Sequence, residues 1–171
     1  MKSIVIYSSL TGNTKQVAEA ITSVLPADTP CVSMKELPSD LSSYDLVFAG
    51  FWVDKGTANK EARDVLGTLH NPHIALFATA GVPPQMAHAK ESLINAANCL
   101  PDGVEPVGTF ICQGKVDPKV IEMMYKMFPK GHSHGQSADR DARHKQAAVH
   151  PNEDDFKAAQ DFAKDILTKL G

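Results

Sequence analysis

No apolar run in this chain approaches the length needed to cross a bilayer. The N-terminus passes from Lys2 into a short apolar run ending at Ser8 and Ser9, too brief for the apolar region of a secretory leader. Cysteine is scarce: Cys31, Cys99 and Cys112 are odd in number and widely scattered, which fits neither a disulfide framework nor a zinc motif. Neither sign of charge dominates. With 17 Lys and Arg against 20 Asp and Glu, the formal net charge of −3 supplies no basic field for nucleic acid and no acidic tail. His132 and His134 alternate within a polar stretch that offers no third fixed ligand, so no metal site is expected. The absences together lead to the expectation of a soluble, cytoplasmic protein with no membrane span and no nucleic-acid partner.

The familiar phosphate signatures are missing too. There is neither G-x-G-x-x-G nor G-x-x-x-x-G-K-[ST], which excludes a dinucleotide fingerprint and a P-loop. The run "DLVFAGF" ends without an aspartate, unlike a phospho-acceptor domain, and no cysteine precedes an arginine at a phosphatase spacing.

What is present is an alternation of strand-like and helix-like segments. A chain of 171 residues, 43% hydrophobic and 22% charged, suits one domain with one sizeable core. Strands are expected at about Ser3–Ser8, Cys31–Met34, Asp45–Phe51, His73–Gly81 and Glu105–Gly114. Between them, Ala58, Ala62, Val65, Leu66 and Leu69 form one helical stripe, and Met86, Ala89, Leu93, Ile94 and Ala97 another. The last helix starts at "PNEDDF", where Asn152 can cap and Asp155 lies three residues on. This order argues for a mainly parallel sheet covered by helices on both faces. The segment from about 116 to 146 exceeds a minimal five-strand unit. Asp117 and Pro118 open an extra helix with an apolar stripe from Val120 to Phe128, and a polar loop follows from Pro129 to Gln146.

The first strand enters its helix through "SLTGNT", Ser9 to Thr14, with no cationic residue before Lys15. In a parallel sheet a ligand sits beyond the carboxyl ends of the strands, where strand order reverses. A helix N-terminus there offers unpaired N–H groups and a partial positive charge. Hydroxyls of Ser9, Thr11 and Thr14 add donors, and Gly12 lets the backbone approach closely. Such a cage of neutral donors suits a phosphate monoester.

This motif closely resembles the phosphate loop of the flavodoxin family, as do the order and spacing of the elements. The resemblance implies a doubly wound, five-stranded parallel α/β sheet in the order 2-1-3-4-5, non-covalent FMN, and Ser9, Leu10, Thr11, Gly12, Asn13 and Thr14 around its phosphate. The second flavin loop falls at Phe51, Trp52, Val53, Asp54, Lys55 and Gly56. Trp52, the one tryptophan, sits where the family often stacks an aromatic ring on the flavin; the competing reading is a bulky residue closing the core. Gly56 could permit the backbone reorientation that accompanies flavin reduction in the family. The third loop brings the amides of Ala80, Gly81 and Val82 to the pyrimidine edge. No aromatic follows Gly81, a departure from the family pattern that leaves one ring face uncovered, or covered by Met86, His88 or the late segment.

The family implies a redox protein passing electrons between a reductase and an acceptor enzyme. A second reading is an FMN-dependent oxidoreductase acting on a quinone or tetrapyrrole-like substrate. The late segment is similar in placement to the insertion of flavodoxin-like protoporphyrinogen oxidases, and Arg140, Arg143, His144 and Lys145 could there meet a carboxylated substrate. No catalytic side chain is assigned.

Overall fold

A computed structural model describes residues 1–171. Its strands are β1 (Ser3–Tyr7), β2 (Cys31–Ser33), β3 (Leu46–Asp54), β4 (Thr57–Ala58), β5 (His73–Ala80) and β6 (Gly108–Gln113). Its helices are α1 (Asn13–Thr22), α2 (Lys60–Leu66), α3 (Ala87–Ala97), α4 (Pro118–Met127), α5 (Ala138–Ala147) and α6 (Glu153–Leu170). Five strands pair in parallel in the order β2-β1-β3-β5-β6. Without the short β4 this is the doubly wound order 2-1-3-4-5 of the flavodoxin-like α/β fold.

Alternation along each strand explains why the strands read as unbroken apolar runs. One face buries Ile4, Ile6, Val47, Ala49, Leu76 and Ala78 against Ala62 and Leu66 of α2 and Ala96 of α3. The other buries Val5, Phe48, Ala75 and Phe77 against α1 and α6. Both faces are dry, so successive residues are all apolar. Phe162 of α6 joins this second layer, edge-on to Phe48 at 6.2 Å and stacked on Phe110 at 5.7 Å between ring centroids. The start of α6 is a complete capping box: Asn152 Oδ1 accepts from the N–H groups of Asp154 and Asp155, and Asn152 N–H donates to Asp155 Oδ2 at 2.8 Å.

Three local features differ from the expectation. The third strand runs to Asp54 and turns back as β4, with Val53 opposite Ala58 and Asp54 opposite Thr57. Ala58 therefore belongs to this hairpin and α2 starts at Lys60. The second strand ends at Ser33, whose side chain caps a 3-10 turn over Met34–Glu36. The polar stretch Pro129–Gln146 is not all loop, because α5 occupies its second half with Ser137 as its cap. α5 has almost no apolar stripe, so periodicity gave no sign of it.

The α4–α5 excursion is rooted where Lys115 N–H donates to the His150 carbonyl at 2.8 Å. Tyr125 Oη ties the two helices by donating to Asp141 Oδ1 at 2.9 Å, with His144 Nδ1 3.1 Å away. No helix is long and apolar enough to cross a membrane.

Candidate functional site

The C-terminal ends of β1, β3, β5 and β6 open onto a cleft of about 240 Å³. It forms where strand order reverses about β1, since β2 lies on one side of β1 and β3 on the other. Of the residues singled out from sequence, Ser9, Leu10, Thr11, Asn13 and Thr14 line it from the first loop. Trp52, Val53, Asp54 and Lys55 line it from the β3–β4 hairpin, and Ala80 and Gly81 from the end of β5. Gly12, Phe51, Gly56 and Val82 are not among the lining residues. Gly12 is the N-cap of α1 with φ 95°, a conformation that only glycine adopts readily. The Phe51 side chain is fully buried in the core layer beneath α2 and α3. Gly56 lies at the hairpin tip, and Val82 is half-buried beyond the cleft edge.

The first loop is rich in unsatisfied donors. Ser9 Oγ accepts from Gly12 N–H at 3.1 Å and Lys15 N–H at 3.3 Å, so one oxygen serves two amides of the helix start. The N–H groups of Leu10, Thr11, Asn13 and Thr14 have no protein acceptor. Thr14 Oγ1 lies 2.9 Å from Thr79 Oγ1, and both residues line the cleft. Asn13 Nδ2 donates to the Lys115 carbonyl at 2.8 Å and packs on Gly114, where an added Cβ would meet Asn13 Nδ2 at 2.8 Å. The phosphate-type loop is thereby fastened to the exit of β6.

The β3–β4 hairpin turns through Lys55 (φ 49°) and Gly56 (φ 78°), as a two-residue type I′ turn requires. Asn95 of α3 donates to the Gly56 carbonyl at 2.8 Å and pins the tip. Behind the hairpin, buried Asn59 donates to Ser8 Oγ at 2.8 Å, and Ser8 Oγ donates to Glu61 Oε2 at 2.5 Å. This polar network links the end of β1 to the start of α2.

Sequence reading did not name Thr79 and Gly114 as cleft residues, whereas Val116, Asp117 and Val120 belong to the late segment offered as one cover for the open ring face. Thr79 left one signal, a hydroxyl inside an otherwise apolar strand end. Val116 fills the place beside Gly81 left without an aromatic: a Cβ on Gly81 would lie 2.6 Å from Val116 Cγ2. Met86 and His88 do not line the cleft, nor do Arg140, Arg143, His144 and Lys145. Asp54 and Asp117 there balance Lys55 and Lys115, so the titratable lining groups are two of each sign. Cys112 is buried within β6, and burial, reinforced by the Asp155 charge, pushes its thiol up to about 12. That leaves it an inert packing residue.

A parallel sheet in this order, with a neutral donor loop at the switch point and an aromatic residue across the cleft, defines a flavodoxin-like protein. The family model for the flavodoxin domain matches residues 4–164, and the chain belongs to the flavodoxin family. It is 36% identical over 176 residues to a flavodoxin-like domain-containing protein, BilS, of Clostridioides difficile (strain CD3), covering 99% of this chain and 98% of that one. It is 34% identical over 179 residues to BilS of Clostridium symbiosum (strain WAL-14163), covering 95% and 94%. Among solved structures, a flavodoxin of Streptococcus pneumoniae TIGR4 superposes with TM-score 0.58 at 14% identity, covering 99% of each chain. A flavoprotein from Lactobacillus acidophilus NCFM in complex with FMN gives TM-score 0.52 at 19% identity, covering 65% of this chain and 93% of that one. These two likenesses are of fold.

Proposed function

We propose that the cleft binds FMN and that the protein carries electrons between a reductase and an acceptor enzyme. The observation that carries the reading is the first loop: four N–H groups without protein acceptors beside the hydroxyls of Ser9, Thr11 and Thr14. A phosphate monoester needs such donors, and no cation is required to hold it. Leu10, Gly12 and Asn13 complete that loop. Trp52 would cover one face of the ring, and the amides of Ala80, Gly81 and Val82 would meet its pyrimidine edge. Val53, Asp54, Lys55 and Gly56 shape the second loop, with Phe51 anchoring it from the core. The residues present fit the group. FMN, when bound, supplies the redox chemistry.

The chain's own part is to bind, orient and set electrostatics. Asp54 and Asp117 disfavour added negative charge in the cleft, and Lys55 and Lys115 offset them. No histidine, cysteine or tyrosine lines the cleft, whose titratable groups are Asp54, Asp117, Lys55 and Lys115. The carrier reading asks none of them to pass a proton to an organic substrate. The enzyme reading rests on one feature: the wall beside Gly81 is aliphatic, through Val116 and Val120, and leaves more room for a flat substrate than an aromatic would.

Titration with FMN while recording Trp52 emission tests the binding site. Quenching with a saturable isotherm is expected, and unchanged emission in saturating FMN removes Trp52 from the ring wall. Mixing the reduced, loaded protein with quinone or tetrapyrrole acceptors alone separates the roles. A single reoxidation marks a carrier; sustained turnover without a partner protein marks the oxidoreductase.

A further inference from the structure

α4 is amphipathic, yet none of its residues is buried. Its inner side, Ile121, Met124 and Tyr125, is half-covered, as is Phe128 just beyond its end. Its outer side carries Val120, Met123 and Met127, which are 37%, 55% and 66% exposed. Spaced three and four residues apart, these three side chains form one stripe. Val120 also lines the cleft, so the stripe begins at the cleft mouth and runs outward along the helix. Leu10 of the first loop is 66% exposed and lines the same cleft. Exposed apolar surface gathered around a functional opening marks an interaction site, and methionine adapts its shape to a partner.

The arm that carries the stripe differs in charge from the rest of the chain, and that difference points to the chemistry of the partner. Residues 115–146 hold seven Lys or Arg against four Asp or Glu, whereas the rest of the chain holds ten against 16. The small net charge thus hides a basic arm on an acidic body. Lys119, Lys126 and Lys130 border the stripe in solvent, with Lys126 paired to Glu122 at 2.8 Å across an exposed turn.

We infer that the outer face of α4 is the docking surface for an acidic redox protein, one presenting a small apolar patch ringed by carboxylates. The inference rests on the cleft being the redox site, and it names the partner of that site. Apolar contact at the cleft mouth would bring the two centres together, and the basic border would steer and orient the encounter.

The test uses the full chain without added flavin, labelled at its methionine methyl groups, so that failure of FMN binding leaves the result readable. An acidic plant-type ferredoxin is the probe and a basic cytochrome c the counter-probe. Ferredoxin is expected to shift the Met123 and Met127 methyl signals and leave buried Met34 unmoved. Raising salt from low to physiological strength is expected to weaken binding about tenfold. Lys119→Glu with Lys126→Glu is expected to weaken it by a similar factor. Met123→Gln with Met127→Gln, both exposed and harmless to folding, is expected to reduce it at unchanged charge. Methyl signals unmoved by millimolar ferredoxin overturn the inference. So do shifts of these methyls with cytochrome c, tighter binding to anionic phospholipid vesicles, or shifts that track the protein's own concentration, which would assign the face to a second copy.

Discussion

Thr14 Oγ1 and Thr79 Oγ1 lie 2.9 Å apart, and both side chains are buried at the floor of the cleft. Neither hydroxyl has another side-chain or backbone partner, so the pair shares one hydrogen bond between two donatable protons. The remaining proton is available to a ligand. If Thr79 donates to Thr14, Thr14 can donate to an anion at the start of α1, and each bond polarises the other. Thr14→Val is expected to weaken FMN by about 10–100-fold, the worth of a hydrogen bond to a charged group. Thr79→Val should act in the same direction with a smaller effect, and Thr79→Ser should restore most of it. Riboflavin, which has no phosphate, should change little in all three. Parallel fluorescence titrations with the two flavins check this, and equal losses for both contradict the phosphate assignment.

Gly50 and Phe77 are paired across β3 and β5 on the face covered by α1 and α6. The Phe77 ring lies over the Gly50 Cα, in the space a side chain would need. Gly50→Ala is therefore expected to destabilise by about 3 kcal/mol through overpacking of a rigid, fully buried layer. Phe77→Leu costs stability alone by loss of volume, yet combined with Gly50→Ala the two should cost less than their sum. Denaturant unfolding of the four proteins in the cycle measures that coupling. Strict additivity would show that the sheet relaxes elsewhere.

The five parallel strands and the helices with a clear stripe were legible because burial on two faces writes itself directly into apolar runs. The first loop was legible because hydroxyls gathered before a helix have few other uses. Features set by tertiary closure were not. β4 is two residues long and exists only because Asp54 and Thr57 pair across a turn. α5 is polar on nearly every side, and its cap at Ser137 was its one mark. Val116 and Val120 reach the cleft because the chain beyond β6 folds back over Gly81, a relation between residues 35 or more apart in sequence. Phe51 sits next to Trp52 but points to the opposite side of the strand, as period-two alternation demands.

Lys55 holds φ 49° with a full side chain at the first central position of the hairpin turn. A left-handed conformation costs a lysine about 1 kcal/mol, and asparagine much less. Lys55→Asn creates the Asn-Gly pair favoured in type I′ turns and is expected to raise stability by about 0.5–1 kcal/mol. Thermal unfolding without FMN reads this. A loss of stability would mean that the Lys55 side chain makes a contribution larger than its strain.

His144 lies on α5 facing α4, where Tyr125, Asp141, Arg140 and Arg143 surround it. Partial burial holds its pKa below the ordinary value, the Arg140 and Arg143 charges add to this, and Asp141 opposes it. Between its folded value and about 6.5, the unfolded chain therefore binds more protons at this residue than the folded one. The stabilisation is fully present above about pH 6.5 and is lost as pH falls through the folded value. The α4–α5 arm should loosen in mild acid before the sheet does. Amide exchange across 118–147 is expected to quicken, relative to β3 and β5, as pH is lowered below 6.5, after correction for intrinsic rates. His144→Gln keeps a polar side chain facing Tyr125 and removes the titration, so its arm should show no such extra acid response. A proton titration of the His144 ring with a midpoint above 6.5 would reverse the sign of this coupling. The arm would then tighten in acid.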